Sequence, residues 1–229
     1  MTWALVPAAG SGRRFGGEVP KQYLRAAGKP LIGHSLDALL SHPAVDGVVV
    51  ALAADDARWP GWTSLHGKPV ITCVGGGERA DSVMAALKAL PAHVALDELL
   101  LVHDAARPNL HADDITKLIA AATDCDDGAI LEAPVRDTLK RADAGQRITS
   151  TESRDGLWRA LTPQAFRRDL LCRALAGAKV DGLVVTDEAM AVEILGRHPA
   201  LVEGREDNLK VTTPADLALA EFLLGRASR

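Results

Sequence analysis

Residues 47–53, GVVVALA, are apolar at every position. A strand with one wet face alternates in polarity, whereas a strand that does not alternate is covered on both faces. This run therefore belongs inside a sheet layered by helices. Shorter apolar runs at 3–7, 70–74, 99–103 and 129–135 predict further strands. Between them, apolar residues recur at helical spacing: Leu31, Ser35, Leu36, Leu39 and Leu40; Val83, Met84, Ala86, Leu87 and Leu90; Ile115, Leu118, Ile119 and Ala122. Pro91 closes the second helix, and Asp113 and Asp114 fall in the first turn of the third, where the helix dipole favours acids. Strand and helix in turn predict an α/β domain with a mostly parallel, twisted sheet. Further on, helices are expected at 165–175 and 187–196, strands at 200–203 and 209–212, and a last helix opened by Thr213 and Pro214.

One stretch breaks the rhythm. Residues 136–159 are polar and threonine-rich, with a turn at Ala144 and Gly145 between two extended segments, 138–140 and 148–151. They predict a β-hairpin with no apolar strip to lay on a core. The hairpin is read as an arm inserted in one domain spanning 1–229, projecting onto a second subunit or lying as a surface loop.

Composition narrows the class. Hydrophobic residues make up 48% and charged residues 24%, enough to bury a core, so disorder is excluded as the main state. A net charge of −4 with 3% aromatics argues against a nucleic-acid partner. No apolar run reaches a membrane-spanning length, so no membrane association is expected. Residues 1–10 lack a basic leader and read as a first strand. Cys73, Cys125 and Cys172 are odd in number and far apart, which excludes a disulfide framework or a CxxC metal site and predicts a reduced, cytoplasmic protein.

The first strand runs into Pro7-Ala-Ala-Gly-Ser-Gly-Arg-Arg-Phe15. Small residues let backbone N–H groups approach a ligand closely, and a nest of such groups favours phosphate. Phe15 stands where a dinucleotide fingerprint needs its third glycine, and no Gly-Lys-Ser/Thr follows, so neither familiar phosphate motif applies; a plain tight turn is the other reading. The following basic residues, Arg13, Arg14, Lys21, Arg25 and Lys29, face only one acid, Glu18. A glycine loop beside concentrated positive charge suits a triphosphate, although a solvated basic loop would read the same.

PAAGSGRRF with PKQYL at 20–24 resembles the 2-C-methyl-D-erythritol 4-phosphate cytidylyltransferases of the non-mevalonate isoprenoid pathway. GGGERADSV at 75–83, HDAARP at 103–108, PVRDTLKR at 134–141, GLWRALTPQ at 156–164, TDEA at 186–189 and GREDNLKVTTPADL at 204–217 extend the resemblance over nearly the whole chain. It implies a single Rossmann-like nucleotidyltransferase domain that joins the cytidylyl group of CTP to a polyol phosphate and releases pyrophosphate, working as a homodimer through the 136–159 arm.

The same resemblance implies roles. Ala8, Ala9, Gly10 and Ser11 would line the nucleotide, with Gly75, Gly76 and Ser82 near the base. Arg14 and Lys21 would stabilise the transition state, and Lys210 and Arg154 would orient or hold the attacking phosphate. Arg107, Thr138, Thr162, Thr186 and Asp207 would meet the acceptor or orient its basic contacts. Asp104, expected at a strand end where open sheets place ligands, would hold Mg²⁺ with the CTP; helix capping is its other reading. His103 reads as a packed strand-end residue. Because the nucleophile is a phosphate already largely ionised at neutral pH, no general base is required, and positioning and electrostatics should carry the reaction. A ribitol-5-phosphate cytidylyltransferase, a sugar-1-phosphate nucleotidylyltransferase and a non-catalytic nucleotide-binding module are the rival readings.

Overall fold

The computed structural model describes residues 1–10 and 19–227. Strand β1 is Thr2–Pro7; a short 3-10 turn at Lys21–Tyr23 precedes the small pair β2 (Arg25–Ala26) and β3 (Lys29–Pro30). Then follow α1 (Leu31–Ser41), β4 (Gly47–Leu52), β5 (Ser64–Leu65), β6 (Lys68–Val74), α2 (Arg79–Lys88), β7 (Leu99–Val102), α3 (Ala112–Asp124) and β8 (Ala129–Pro134). The last part comprises β9 (Leu139–Ala142), β10 (Ile148–Glu152), β11 (Trp158–Arg167), α4 (Arg168–Val180), α5 (Glu188–Ile194), β12 (Ala200–Glu203) and α6 (Pro214–Ala227).

Eight strands form one sheet in the order β12-β8-β11-β7-β1-β4-β6-β5. Strands β7, β1, β4 and β6 are parallel neighbours, while β11 runs antiparallel between β7 and β8. The chain steps outward from β1 to β4 and β6, then returns to place β7 on the other side of β1. That reversal opens a crevice at the carboxyl ends of β1 and β7, where open sheets bind ligands.

Both faces are covered, as the non-alternating 47–53 run requires. Leu36, Leu39, Ile115 and Leu118 close one face through α1 and α3. Val83, Leu87, Leu171 and Val192 close the other through α2, α4 and α5. Gly47 serves the β1–β4 register: it sits opposite Trp3, and a Cβ there would lie 2.6 Å from the indole ring. Helix α6 opens with a reciprocal cap, Thr213 Oγ1 accepting from Asp216 N (3.3 Å) and Asp216 Oδ2 accepting from Thr213 N (2.7 Å).

The hairpin β9–β10 is a separate antiparallel pair with largely exposed side chains, laced by Lys140 to Thr151 (2.7 Å) and Arg141 to Glu152 (2.8 Å). Asp143 Oδ1 accepts from the N–H groups of Gly145 and Arg147, which closes the tip at the expected turn. Three expectations need correction. Residues 165–167 continue β11 instead of opening a helix, because Ala165 and Phe166 fill opposite faces of the sheet. Trp158 and Arg159 belong to β11, so the arm ends before them. Residues 209–212 form no strand; Val211 N–H bonds the Ala106 carbonyl (2.8 Å) as an isolated tie. Among the described residues no helix is long and apolar enough to cross a membrane.

Candidate active site

A cleft of about 640 Å³ opens at the carboxyl ends of β1 and β7. Its floor is Pro7, Ala8, Ala9 and Gly10, where the chain leaves β1. Buried Gln22 fixes this floor, donating from Nε2 to the carbonyls of Ala8 (2.7 Å) and Gly10 (3.2 Å). The 3-10 turn carrying Gln22 thereby brings Lys21 to the cleft wall. Tyr23, on the same turn, donates to Asp56 Oδ2 (2.7 Å), and burial together with this bond pushes its phenol well above the ordinary value.

The opposite wall is the turn from β6 into α2, with Gly76, Gly77, Glu78, Arg79 and Ser82. Ser82 Oγ accepts from Gly76 N (3.2 Å) and donates to Glu78 O (3.2 Å), closing the turn on itself. Gly75 stands behind it. A Cβ there would lie 2.6 Å from Ala9 Cβ and 2.8 Å from Ser82 Oγ, so glycine permits floor and wall to meet.

The cleft ends in a cluster of charge. Asp104, one residue past His103, is 7% exposed. Its carboxylate meets Lys210 Nζ at 2.8 Å, Arg79 Nε at 3.2 Å and Arg107 Nε at 3.5 Å. Burial alone would raise the Asp104 carboxyl; the three cations outweigh it and hold the group well below the usual carboxylate range. Arg79 also pairs with Glu188, which is buried at the start of α5.

His103 sets Asp104 in place. Burial lowers its imidazole to about 4, so it is neutral and has one donor and one acceptor. Nε2 donates to Arg107 O (3.1 Å), which leaves Nδ1 to accept from Thr162 Oγ1 (2.9 Å), and Thr162 Oγ1 accepts from Asp104 N (3.1 Å). The strand-end reading of His103 holds.

The structure brings Ala8, Ala9, Gly10, Lys21, Gly76, Ser82, Asp104 and Lys210 together on the cleft, with Gly75 and Thr162 directly behind. Ser11 and Arg14 lie outside the described residues. Arg107 is not on the wall: it is 8% exposed, and its guanidinium donates to the carbonyls of Asn208 (2.7 Å) and Ala160 (3.4 Å). Asp207 pairs with Arg205 at 3.2 Å and His111 at 3.8 Å. Thr138 and Arg154 are exposed on the hairpin, where Arg154 donates to the Arg136 carbonyl, and Thr186 is exposed before α5. None of these lines the cleft of one chain.

Arg79, Glu188, Gln22 and Gln164 were missed. One signal was available for Arg79. It is the first residue of α2, and a cation there opposes the helix dipole, the kind of local conflict that marks functional positions.

Small residues on the floor and one wall, with Lys21, Arg79 and Lys210 around the rest, suit a polyanion carrying a flat base. The hydroxyls on the wall are committed to structure: Ser82 closes its own turn, and Thr212 Oγ1 donates to Asp216 Oδ2 (2.7 Å) at the start of α6. Among the described residues no three His, Cys, Asp or Glu side chains gather as a metal cage. Asp104 is a single carboxylate, which fits a Mg²⁺ ion that takes its other ligands from phosphates and water.

The family model described as "IspD: 2-C-methyl-D-erythritol 4-phosphate cytidylyltransferase" matches residues 2–226. A 2-C-methyl-D-erythritol 4-phosphate cytidylyltransferase of Xanthomonas campestris pv. campestris is 62% identical over 227 residues, 99% of this chain and 86% of the relative. One from Stenotrophomonas maltophilia is 59% identical over 224 residues, 98% of this chain and 97% of the relative. A crystal structure of 4-diphosphocytidyl-2C-methyl-D-erythritol synthase superposes with a TM-score of 0.84 at 38% identity, covering 97% of this chain and 98% of that one. The Francisella tularensis 2-C-methyl-D-erythritol 4-phosphate cytidylyltransferase superposes with 0.83 at 31% identity, covering 97% and 99%.

Proposed function

The chain belongs to the 2-C-methyl-D-erythritol 4-phosphate cytidylyltransferase family, and on that premise we propose how its cleft carries out the family's reaction. It is a nucleotidyltransferase: the cytidylyl group of CTP passes to 2-C-methyl-D-erythritol 4-phosphate, giving 4-diphosphocytidyl-2-C-methyl-D-erythritol and pyrophosphate. A phosphate oxygen of the acceptor bonds to the α-phosphorus, and the bond from that phosphorus to the bridging oxygen breaks, its electron pair leaving with pyrophosphate.

The observation that carries this reading is the convergence of Lys21, Arg79 and Lys210 on a cleft floored by Ala8, Ala9 and Gly10. Two polyanions must be brought together, and fixed cations lower that repulsion while stabilising charge on the leaving pyrophosphate. Ala8 to Ser11 with Gly75, Gly76 and Ser82 hold the nucleotide. Lys21 and Arg14 act on the transition state, and Lys210 orients the attacking phosphate. Asp104 would hold Mg²⁺, which when bound neutralises phosphate charge. Arg107 contacts the acceptor, and Thr162 serves the same acceptor end of the site.

Thr138 and Arg154, too exposed to serve their own cleft, hold substrate phosphate in a partner's cleft when two hairpins clasp in a homodimer. Thr186 and Asp207 complete the acceptor side. The three free cysteines support a reducing compartment, and we place the reaction in the cytoplasm.

The test is the product. Mass spectrometry of a reaction with CTP and 2-C-methyl-D-erythritol 4-phosphate should show the cytidylylated polyol. Lys21→Ala should lower kcat more than it raises the KM for CTP. Unchanged turnover would remove Lys21 from the mechanism.

A further inference from the structure

We infer that Glu188 is a positioning residue of the cytidylyl-transfer site, acting through Arg79. The inference rests on the reaction assigned above. Arg79 lines the cleft, yet its side chain is only 24% exposed and it starts a helix, where the dipole repels a cation. Something must hold the guanidinium there. Nε donates to Asp104 Oδ1 (3.2 Å), and Nη1 donates to Glu188 Oε1. Arg79 is thus gripped between two carboxylates from different elements.

The two are unequal. Asp104 lines the cleft and divides its charge among Arg79, Lys210 and Arg107. Glu188 is 1% exposed and absent from the wall, so no ligand reaches it. Its other oxygen, Oε2, has no hydrogen-bond partner among the described residues. Burying a carboxylate for packing alone is costly, and an apolar residue would serve that purpose better. What Glu188 supplies is an anchor for Arg79 that persists when Asp104 is engaged elsewhere.

Strand β11 sets the spacing. Thr162 Oγ1 accepts from Asp104 N (3.1 Å). Two residues on, Gln164 Oε1 accepts from Ala189 N (2.9 Å), and its Nε2 donates to Asp187 Oδ2 (2.9 Å). Asp187 Oδ1 in turn accepts from Met190 N (3.0 Å). One strand therefore fixes the backbone around both carboxylates, and Arg79 is aimed before substrate arrives. Such preorganisation is what an electrostatic mechanism rewards.

A salt bridge that merely ties α2 to α5 would show the same contacts, and a double-mutant cycle separates the two. Turnover of CTP and thermal stability are measured for the wild type, Glu188→Gln, Arg79→Met and the double variant. Glu188→Gln should lower kcat/KM for CTP at least about tenfold while the protein stays folded, and in the Arg79→Met background it should cost less than about twofold more. If Glu188→Gln does not fold, Glu188→Asp, which keeps the charge but withdraws it, is read the same way. Near-wild-type kcat/KM, or a loss undiminished without Arg79, overturns the inference. A wild-type chain that did not turn over CTP would count against the reaction itself, and so is told apart from failure at Glu188.

Discussion

Lys210 Nζ lies 2.8 Å from Asp104 Oδ2, so a lysine from the segment after β12 closes on the carboxylate at the end of β7. Asp104 keeps Arg79 and Arg107 when Lys210 is removed, so its charge stays compensated. Lys210→Ala should therefore leave the fold intact while lowering kcat/KM by about a hundredfold or more, the usual cost of losing one well-placed electrostatic contact. Steady-state kinetics beside a thermal melt checks this. A large fall in Tm with unchanged kinetics would make Lys210 a structural residue.

Chelation tests the role given to Asp104. Excess EDTA should abolish turnover and added Mg²⁺ restore it, and Asp104→Asn should raise the Mg²⁺ concentration needed for half-maximal rate. Full activity in chelator would remove the metal from this account.

Glu132 gives a stability test away from the cleft. It is 1% exposed in β8, opposite Glu203 of β12. Burial first, then the Glu203 charge, raises its carboxyl to about 7. The unfolded chain releases this proton near pH 4.3, so between about pH 4 and 7 the folded state binds more protons and stability falls as pH rises. Glu132→Gln should raise the Tm at pH 8 by roughly 2–8 °C, and the gain should shrink towards zero near pH 4. Parallel curves of Tm against pH for the two proteins would refute this.

The arm predicts shared sites. Arg154→Ala and Lys21→Ala should each be inactive alone. After subunit exchange, half of the dimers are mixed and each mixed dimer has one intact site, so about a quarter of wild-type activity should return. No recovery despite proven exchange would assign Arg154 to its own chain, and a monomer in sedimentation would remove the arrangement.

The sheet was legible because its central strands are continuous apolar runs, as at Val48–Val49–Val50, and the helices because Leu36 and Leu39 or Ile115 and Leu118 repeat at helical spacing. The end of β11 was not. Ala165, Phe166 and Arg167 run into α4 with no glycine or proline to mark the boundary, so the strand end and the helix read as one element. Motif residues such as Lys21, Ser82, Asp104 and Lys210 were legible as chemistry and do converge. Arg79 with Glu188, and Gln22 with the Ala8 and Gly10 carbonyls, were not, because each pair is made by folding between residues distant in the chain. Nothing local to the HDAARP motif shows that the Arg107 guanidinium folds against the Asn208 and Ala160 carbonyls.

Pyrophosphate release by the purified chain tests the central claim most directly. With Mg²⁺ present, CTP and 2-C-methyl-D-erythritol 4-phosphate should together release pyrophosphate, and either alone should not. UTP should be used far more slowly, since a rigid wall of backbone groups at Ala8, Ala9 and Gly76 leaves a buried donor or acceptor unpaired with the wrong base. Ribitol 5-phosphate should be the poorer acceptor. No pyrophosphate from the matched pair, equal use of CTP and UTP, or faster turnover of ribitol 5-phosphate would contradict the account.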